Sequence, residues 1–168
     1  SKTAHDPMSY VSRYVADRLA GVPGIEGFES RPVRAALLLT DVVDFSAHVD
    51  RVSAAGTSAL EELAHDFDGY LSHLIALVDR WGGDVLSIAG DALFSYWPAE
   101  READLPGAVR RAADAGLAIQ AARSASRFET RVGVGAGEID IAFVGGVGGR
   151  WELMPTGVAV REVARAER

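Results

Sequence analysis

Ala35-Ala36-Leu37-Leu38-Leu39-Thr40-Asp41-Val42-Val43-Asp44-Phe45-Ser46 is the stretch on which the reading of this chain turns. An apolar run of this kind is a buried strand, expected over Val33 to Thr40, and it delivers the carboxylate of Asp41 to the strand end. A second aspartate, Asp91, has a frame of its own. Trp81-Gly82-Gly83-Asp84-Val85-Leu86-Ser87-Ile88-Ala89-Gly90 precedes it and Ala92-Leu93-Phe94 follows. Asp84 to Ile88 and Ala92 to Trp97 read as a hairpin turning at Ala89-Gly90-Asp91. Two carboxylates brought together in this way do not both ionise comfortably unless a cation lies between them. Hard oxygen donors in a chain without cysteine favour Mg²⁺ or Mn²⁺. A pair of such ions can clamp the oxygens of a phosphoryl displacement. Singly, either aspartate is more often a plain turn residue; framed and paired, the metal role is the stronger reading.

Working outward, the 168 residues suffice for one domain with a real core, and 48% hydrophobic content excludes a disordered chain. A net charge of −7 argues against a nonspecific nucleic-acid or polyanionic-membrane binder, while leaving room for a nucleotide whose charge is met by metal. The absence of cysteine excludes disulfides and thiolate zinc sites and fits a reducing, cytoplasmic setting. No apolar stretch approaches the ~20 residues of a membrane span.

Helical spacing runs from Ser9 to Leu19, and residues 1–31 read as an N-terminal helix and lead-in to a domain over 32–168. Gly24 to Arg34 reads as a loop or irregular strand. A long amphipathic helix is expected from an N-cap at Thr57 or Ser58 to Gly82-Gly83, and another over Leu105 to Arg123. Phe128 to Glu138 and Ile139 to Gly145 alternate as two strands, Gly145 to Gly149 as a flexible turn, and Trp151 to Met154 as a short strand. The chain stops inside a helical pattern, Val158 to Arg168, so a truncated C-terminal end is expected. This order predicts an α+β, ferredoxin-like βαββαβ sheet with helices on one face.

Four motifs in order resemble the class III nucleotidyl cyclase catalytic domain from about Pro32 onward. They are Leu39-Thr40-Asp41-Val42-Val43-Asp44-Phe45-Ser46, Gly82-Gly83 through Gly90-Asp91-Ala92, Arg131-Val132-Gly133-Val134-Gly135-Ala136-Gly137, and Gly157-Val158-Ala159-Val160-Arg161-Glu162-Val163-Ala164-Arg165. The Ser9 to Arg13 stretch resembles the lead-in of the soluble, bicarbonate-responsive adenylyl cyclases. The resemblance implies the nucleotidyl cyclase fold and cyclisation of a nucleoside triphosphate, ATP by default, to a 3′,5′-cyclic nucleotide and pyrophosphate. It implies two Mg²⁺ or Mn²⁺ ions on Asp41, Asp91 and the Val42 carbonyl, and phosphate contacts from the backbone of Asp44, Phe45 and Ser46 and from Arg131. It further implies a catalytic Arg165 and a site shared with a second copy or a second cyclase domain.

The chain departs from the family pattern at four positions. Asp44 replaces a glycine beside the expected phosphates. Ser87 and Met154 stand at base-reading positions, and Arg161 stands where an asparagine holds the ribose. The metal half resembles that of a first-type half of a tandem cyclase, needing a partner domain. A homodimer with relaxed base selectivity and a non-catalytic, dimerising regulatory module stay open beside it. For Arg131 and Arg165, solvated charge is about as good a reading as catalysis. The scattered His5, His48, His65 and His73 form no tight ligand pair. Gly82-Gly83-Asp84-Val85 superficially resembles a diguanylate cyclase signature but lacks the following Glu-Phe.

Overall fold

The structure, a computed structural model, describes residues 12–14, 16, 27–122, 126–145 and 151–166. Its elements are β1 (Gly27–Val42), α1 (Phe45–Ala54), α2 (Thr57–Arg80), β2 (Asp84–Ala89), β3 (Ala92–Pro98), a 3₁₀ turn (Glu102–Asp104), α3 (Leu105–Ala122), β4 (Thr130–Gly145), β5 (Trp151–Thr156) and α4 (Val158–Ala166). The sheet is five-stranded in the order β2-β3-β1-β4-β5, with every neighbour antiparallel. Its first four strands follow the expected ferredoxin-like order, and β5 adds an edge.

β1 is central because alternate residues bury on opposite faces. Ala36, Leu38 and Val42 face one cluster, with Leu63, Leu71, Leu74 and Val78 of α2 and Ala108, Ala112, Ala115 and Ile119 of α3. Ala35, Leu37 and Leu39 face the other, with Leu86, Tyr96, Ile139, Ile141 and the α4 residues Ala159 and Val163. The two long helices thus share one face, and α4 lies on the other. It can lie there because β4 presents glycine: a Cβ on Gly135 would stand 3.1 Å from Val163 Cβ and 3.3 Å from the Ala159 carbonyl oxygen.

Several sequence expectations are corrected. Residues 27–32, expected as loop or irregular strand, belong to β1, because β4 pairs it without a break from Gly27↔Gly145 to Val42↔Thr130. Pro32 is tolerated there because β3 pairs only from Ala35 onward, so no ladder bond is lost on that edge. For the same reason residues 130–145 form one strand, not two. The N-cap of α2 is Gly56, with no side-chain cap, rather than Thr57 or Ser58. Of the helix expected over Ser9–Leu19, Arg13, Tyr14 and Ala16 are helical and Ser12 is not; its other residues, the Gly146–Gly149 turn and Arg168 lie outside the described residues.

The Gly82-Gly83 pair ends α2 by a double mechanism. Gly82 takes φ +74, and its N–H reaches the Asp79 carbonyl at 2.9 Å while Gly83 N–H reaches that of Val78 at 2.9 Å. This is a Schellman stop, satisfying carbonyls the helix leaves open. Gly83 is required for a separate reason: a Cβ there would lie 2.5 Å from the Trp97 ring, whose indole N–H is held by the Trp81 carbonyl at 2.8 Å. Gly83→Ala is therefore expected to destabilise the fold by about 1–3 kcal/mol, an overpacking penalty readable as a lowered urea midpoint. An unchanged midpoint contradicts this packing.

Candidate active site

Asp41 rides on β1 just before its last residue, on the α4 side of the sheet, and Asp91 sits in the β2–β3 turn beside Gly90, whose φ is +63. Their elements are joined directly: the backbone N–H of Val42 donates to Asp91 Oδ2 at 3.3 Å. The turn carboxylate is thus anchored on the residue that follows Asp41. The third participant is Arg131, the cross-strand partner of Asp41 in the β1–β4 ladder. It donates through a terminal guanidinium nitrogen to Asp41 Oδ2 at 3.2 Å, with the two side chains 41% and 24% exposed. Arg131, expected on phosphate, therefore lies on a carboxylate.

Beneath this point the sheet end is held from the helix side. The Tyr70 hydroxyl of α2 bonds Thr130 Oγ1 at 2.7 Å, and Gln120 Nε2 of α3 donates to the Thr130 carbonyl at 2.8 Å. Thr130 pairs across the ladder with Val42 and precedes Arg131, so both helices fix the backbone that carries the charged cluster. Burial raises the Tyr70 pKa above its usual 10.0. The Thr130 bond opposes the shift, and the negative charges of Asp41 and Asp91 add to it.

Asp44 adopts φ 53, ψ 31, the left-handed region, at the N-cap of the ten-residue α1, and its side chain makes no cap bond. This accounts for the glycine that the resemblance expects there: the turn from β1 into α1 requires positive φ, which aspartate tolerates better than most residues. The Asp44 side chain is exposed. Phe45 packs its ring on Phe67, with centroids 4.6 Å apart, so of the phosphate candidates Phe45 has only its backbone to offer; Ser46 is exposed.

The remaining predicted positions are on β2, β5 and α4. Ser87 follows a bulge in β2 that sets it opposite Phe94. Met154, 50% exposed, is on β5. The sheet curls enough for β2 and β5, its two edges, to approach with Cα atoms within 8 Å, so the two base-reading positions ride on neighbouring strands. Arg161 and Arg165 are exposed on the outer side of α4, while Ala159 and Val163 face the sheet.

Two contributors were missed by sequence reading. Tyr70 lies in the buried stripe of α2, where nothing local distinguishes a core tyrosine from one whose hydroxyl serves a strand end. Asp84 is buried and accepts bonds from Ser12 Oγ at 2.8 Å and the Tyr14 N–H at 3.1 Å, tying the N-terminal segment to the start of β2. Its partners lie about seventy positions away, beyond any local signal.

As a donor set, the two aspartates and the Val42 carbonyl offer only hard oxygen. Among the described residues no group of three or more His, Cys, Asp or Glu converges. Two carboxylates with open positions suit Mg²⁺ or Mn²⁺ completed by water and phosphate oxygens, and do not suit a cage of protein ligands. The residues present therefore fit the group that the resemblance implies.

No family model matches the chain. Adenylate cyclase type 10 of Rattus norvegicus is 28% identical over 117 residues, 65% of this chain. The chain spans 7% of that relative's length. The adenylyl cyclase CyaB from P. aeruginosa superposes with a TM-score of 0.64 at 18% identity, covering 83% of this chain and 73% of that one. The guanylate cyclase domain of RhGC from Catenaria anguillulae, solved in complex with GTP, gives 0.67 at 17% identity, covering 82% and 74%. This chain has the fold of adenylyl and guanylyl cyclase catalytic domains. Among the described residues no helix is long and apolar enough to cross a membrane.

The raised Tyr70 pKa gives a signed expectation. The folded protein holds this proton more tightly than the unfolded chain, so the contribution is complete below about pH 10 and is lost as pH climbs through the raised value. Tyr70→Phe should show a shallower fall in stability above pH 10 than wild type, measured by urea melts across the alkaline range; equal slopes would remove Tyr70 from the account.

Proposed function

We propose that this chain is a nucleotidyl cyclase domain that converts a nucleoside triphosphate, ATP by preference, to a 3′,5′-cyclic nucleotide and pyrophosphate. The observation that supports the proposal is the Val42 N–H bond to Asp91, which joins the hairpin turn to the residue after Asp41 in a sheet of the cyclase fold. In the reaction the ribose 3′-oxygen forms a bond to the α-phosphorus, the bond from that phosphorus to the β-phosphate oxygen breaks, and the hydroxyl proton is released. Two Mg²⁺ or Mn²⁺ ions, held by Asp41, Asp91 and the Val42 carbonyl, would acidify the 3′-hydroxyl and neutralise the triphosphate.

The chain's own groups divide the remaining work. Asp41 and Asp91 bind and orient from β1 and the hairpin turn. The N–H groups at the start of α1, from Asp44 to Ser46, face phosphate oxygens with the favourable end of the helix dipole. Arg131 supplies positive charge to the phosphates, and Arg165 to the α-phosphorus as charge develops. Arg165 is exposed on α4, which suits delivery across an interface to a second copy or a second cyclase domain. Ser87 and Met154 give a purine edge little to bond, so the base is read weakly or by a partner domain.

A second reading, a regulatory cyclase-fold module without turnover, is favoured by Asp44, Ser87, Met154 and Arg161 together. Pyrophosphate release from ATP and GTP with Mn²⁺, by this chain alone and with a cyclase domain that retains the base-reading groups, separates the two. Turnover that falls about a thousandfold in Asp41→Ala supports the enzyme, the size expected when several kcal/mol of charge stabilisation are removed. No turnover in either mixture, and no Mn²⁺-dependent nucleotide binding, supports the module.

Asp44→Gly supplies a further check. Glycine takes the left-handed turn freely and removes a carboxylate from the phosphate approach. Stability should rise by up to about 1 kcal/mol and nucleotide affinity should increase. Weaker nucleotide binding by this variant would show that Asp44 assists the site.

A further inference from the structure

We propose that Arg131 is an internal counter-cation that competes with divalent metal for Asp41. The inference rests on the metal reading of Asp41 given above. Asp41 Oδ2, an oxygen a metal would need, accepts a bond from the Arg131 guanidinium at 3.2 Å. This contact is built into the ladder. Asp41 and Arg131 are direct cross-strand partners, so their Cβ atoms leave the same face of the sheet side by side. The backbone at that point is clamped from behind, through Thr130, by Tyr70 and Gln120. The pair is therefore placed by β-sheet register and is not a chance meeting of two long surface chains.

A guanidinium and a divalent cation cannot both take the same carboxylate oxygen at full strength. Metal entry must displace the guanidinium, and the metal's affinity is reduced by whatever the pair is worth. The pair is half-exposed, which limits that worth to about 1 kcal/mol or less. Once displaced, the guanidinium stands on the same face with its charge available to an incoming triphosphate. One side chain thereby neutralises Asp41 first and phosphate afterwards, and metal arrival and phosphate binding become positively coupled. Arg131 acts here as a positioning residue through Asp41.

The test is Mn²⁺ binding to the full chain, followed by calorimetry and by paramagnetic resonance of free Mn²⁺, with no nucleotide present. Arg131→Met should bind Mn²⁺ about two- to fivefold more tightly than wild type at low salt, with Arg131→Lys between them, since a point charge loses the planar fit of the fork. Raising salt should narrow the gap. A purely structural arginine predicts the opposite, weaker metal binding on its removal. Equal or weaker binding in a folded Arg131→Met overturns the competition while leaving the metal site standing. Mn²⁺ binding by neither protein, with Asp41→Asn as the blank, overturns the metal reading and the competition with it. If Arg131→Met does not fold, the measurement moves to wild type. Added Mg²⁺ should shift the Arg131 guanidinium nitrogen resonance, and an unmoved resonance at saturating Mg²⁺ refutes the proposal.

Discussion

A single backbone hydrogen bond, from the Val42 N–H to the Asp91 carboxylate, holds the candidate site together. It links the end of the central strand to the turn of the neighbouring hairpin, elements about fifty residues apart in sequence. Everything else about the site can be seen as a condition for that contact. The β1–β4 ladder keeps the strand end from fraying. The Schellman stop at Gly82 and the Trp97 contact at Gly83 set where β2 begins, and hence where its turn falls. Tyr70 and Gln120 then tie Thr130, opposite Val42, to the two long helices.

The glycines of the sequence motifs serve distinct physical purposes. Gly82 supplies a left-handed backbone, Gly83 room for an indole, and Gly135 room for the backbone and side chains of α4. Asp44 shows the converse: the conformation that favours glycine persists, while a carboxylate has been placed at the helix start. That side chain makes no capping hydrogen bond.

Much of the fold was legible in the residues. The apolar run before Asp41, the stripe from Leu63 to Val78, the Gly-Gly stop and the Gly90-Asp91 turn all specify elements through local pattern, and each lies where the pattern puts it. The errors share a cause. Residues 27–32 read as loop or irregular strand, and residues 130–145 as two strands, because each half of that ladder lacks a strong pattern by itself. They are extended because they pair with each other. The α2 N-cap was misassigned by a residue or two, since side-chain capping signals at Thr57 and Ser58 outweighed a glycine that caps with backbone alone.

For the candidate site, sequence by itself nominated the two aspartates, the turn into the first helix and the cationic candidates, because carboxylates framed by apolar strands and glycine turns are a one-dimensional signal. Only the tertiary structure decided how they relate. Arg131 faces Asp41 because antiparallel register makes residues 41 and 131 opposite numbers, and Tyr70 holds Thr130 because α2 packs against that part of the sheet. Composition and spacing fix which side chains a segment carries and which face they share. Which charge meets which is set by strand register and helix packing, quantities that depend on contacts between distant segments and that no local window contains.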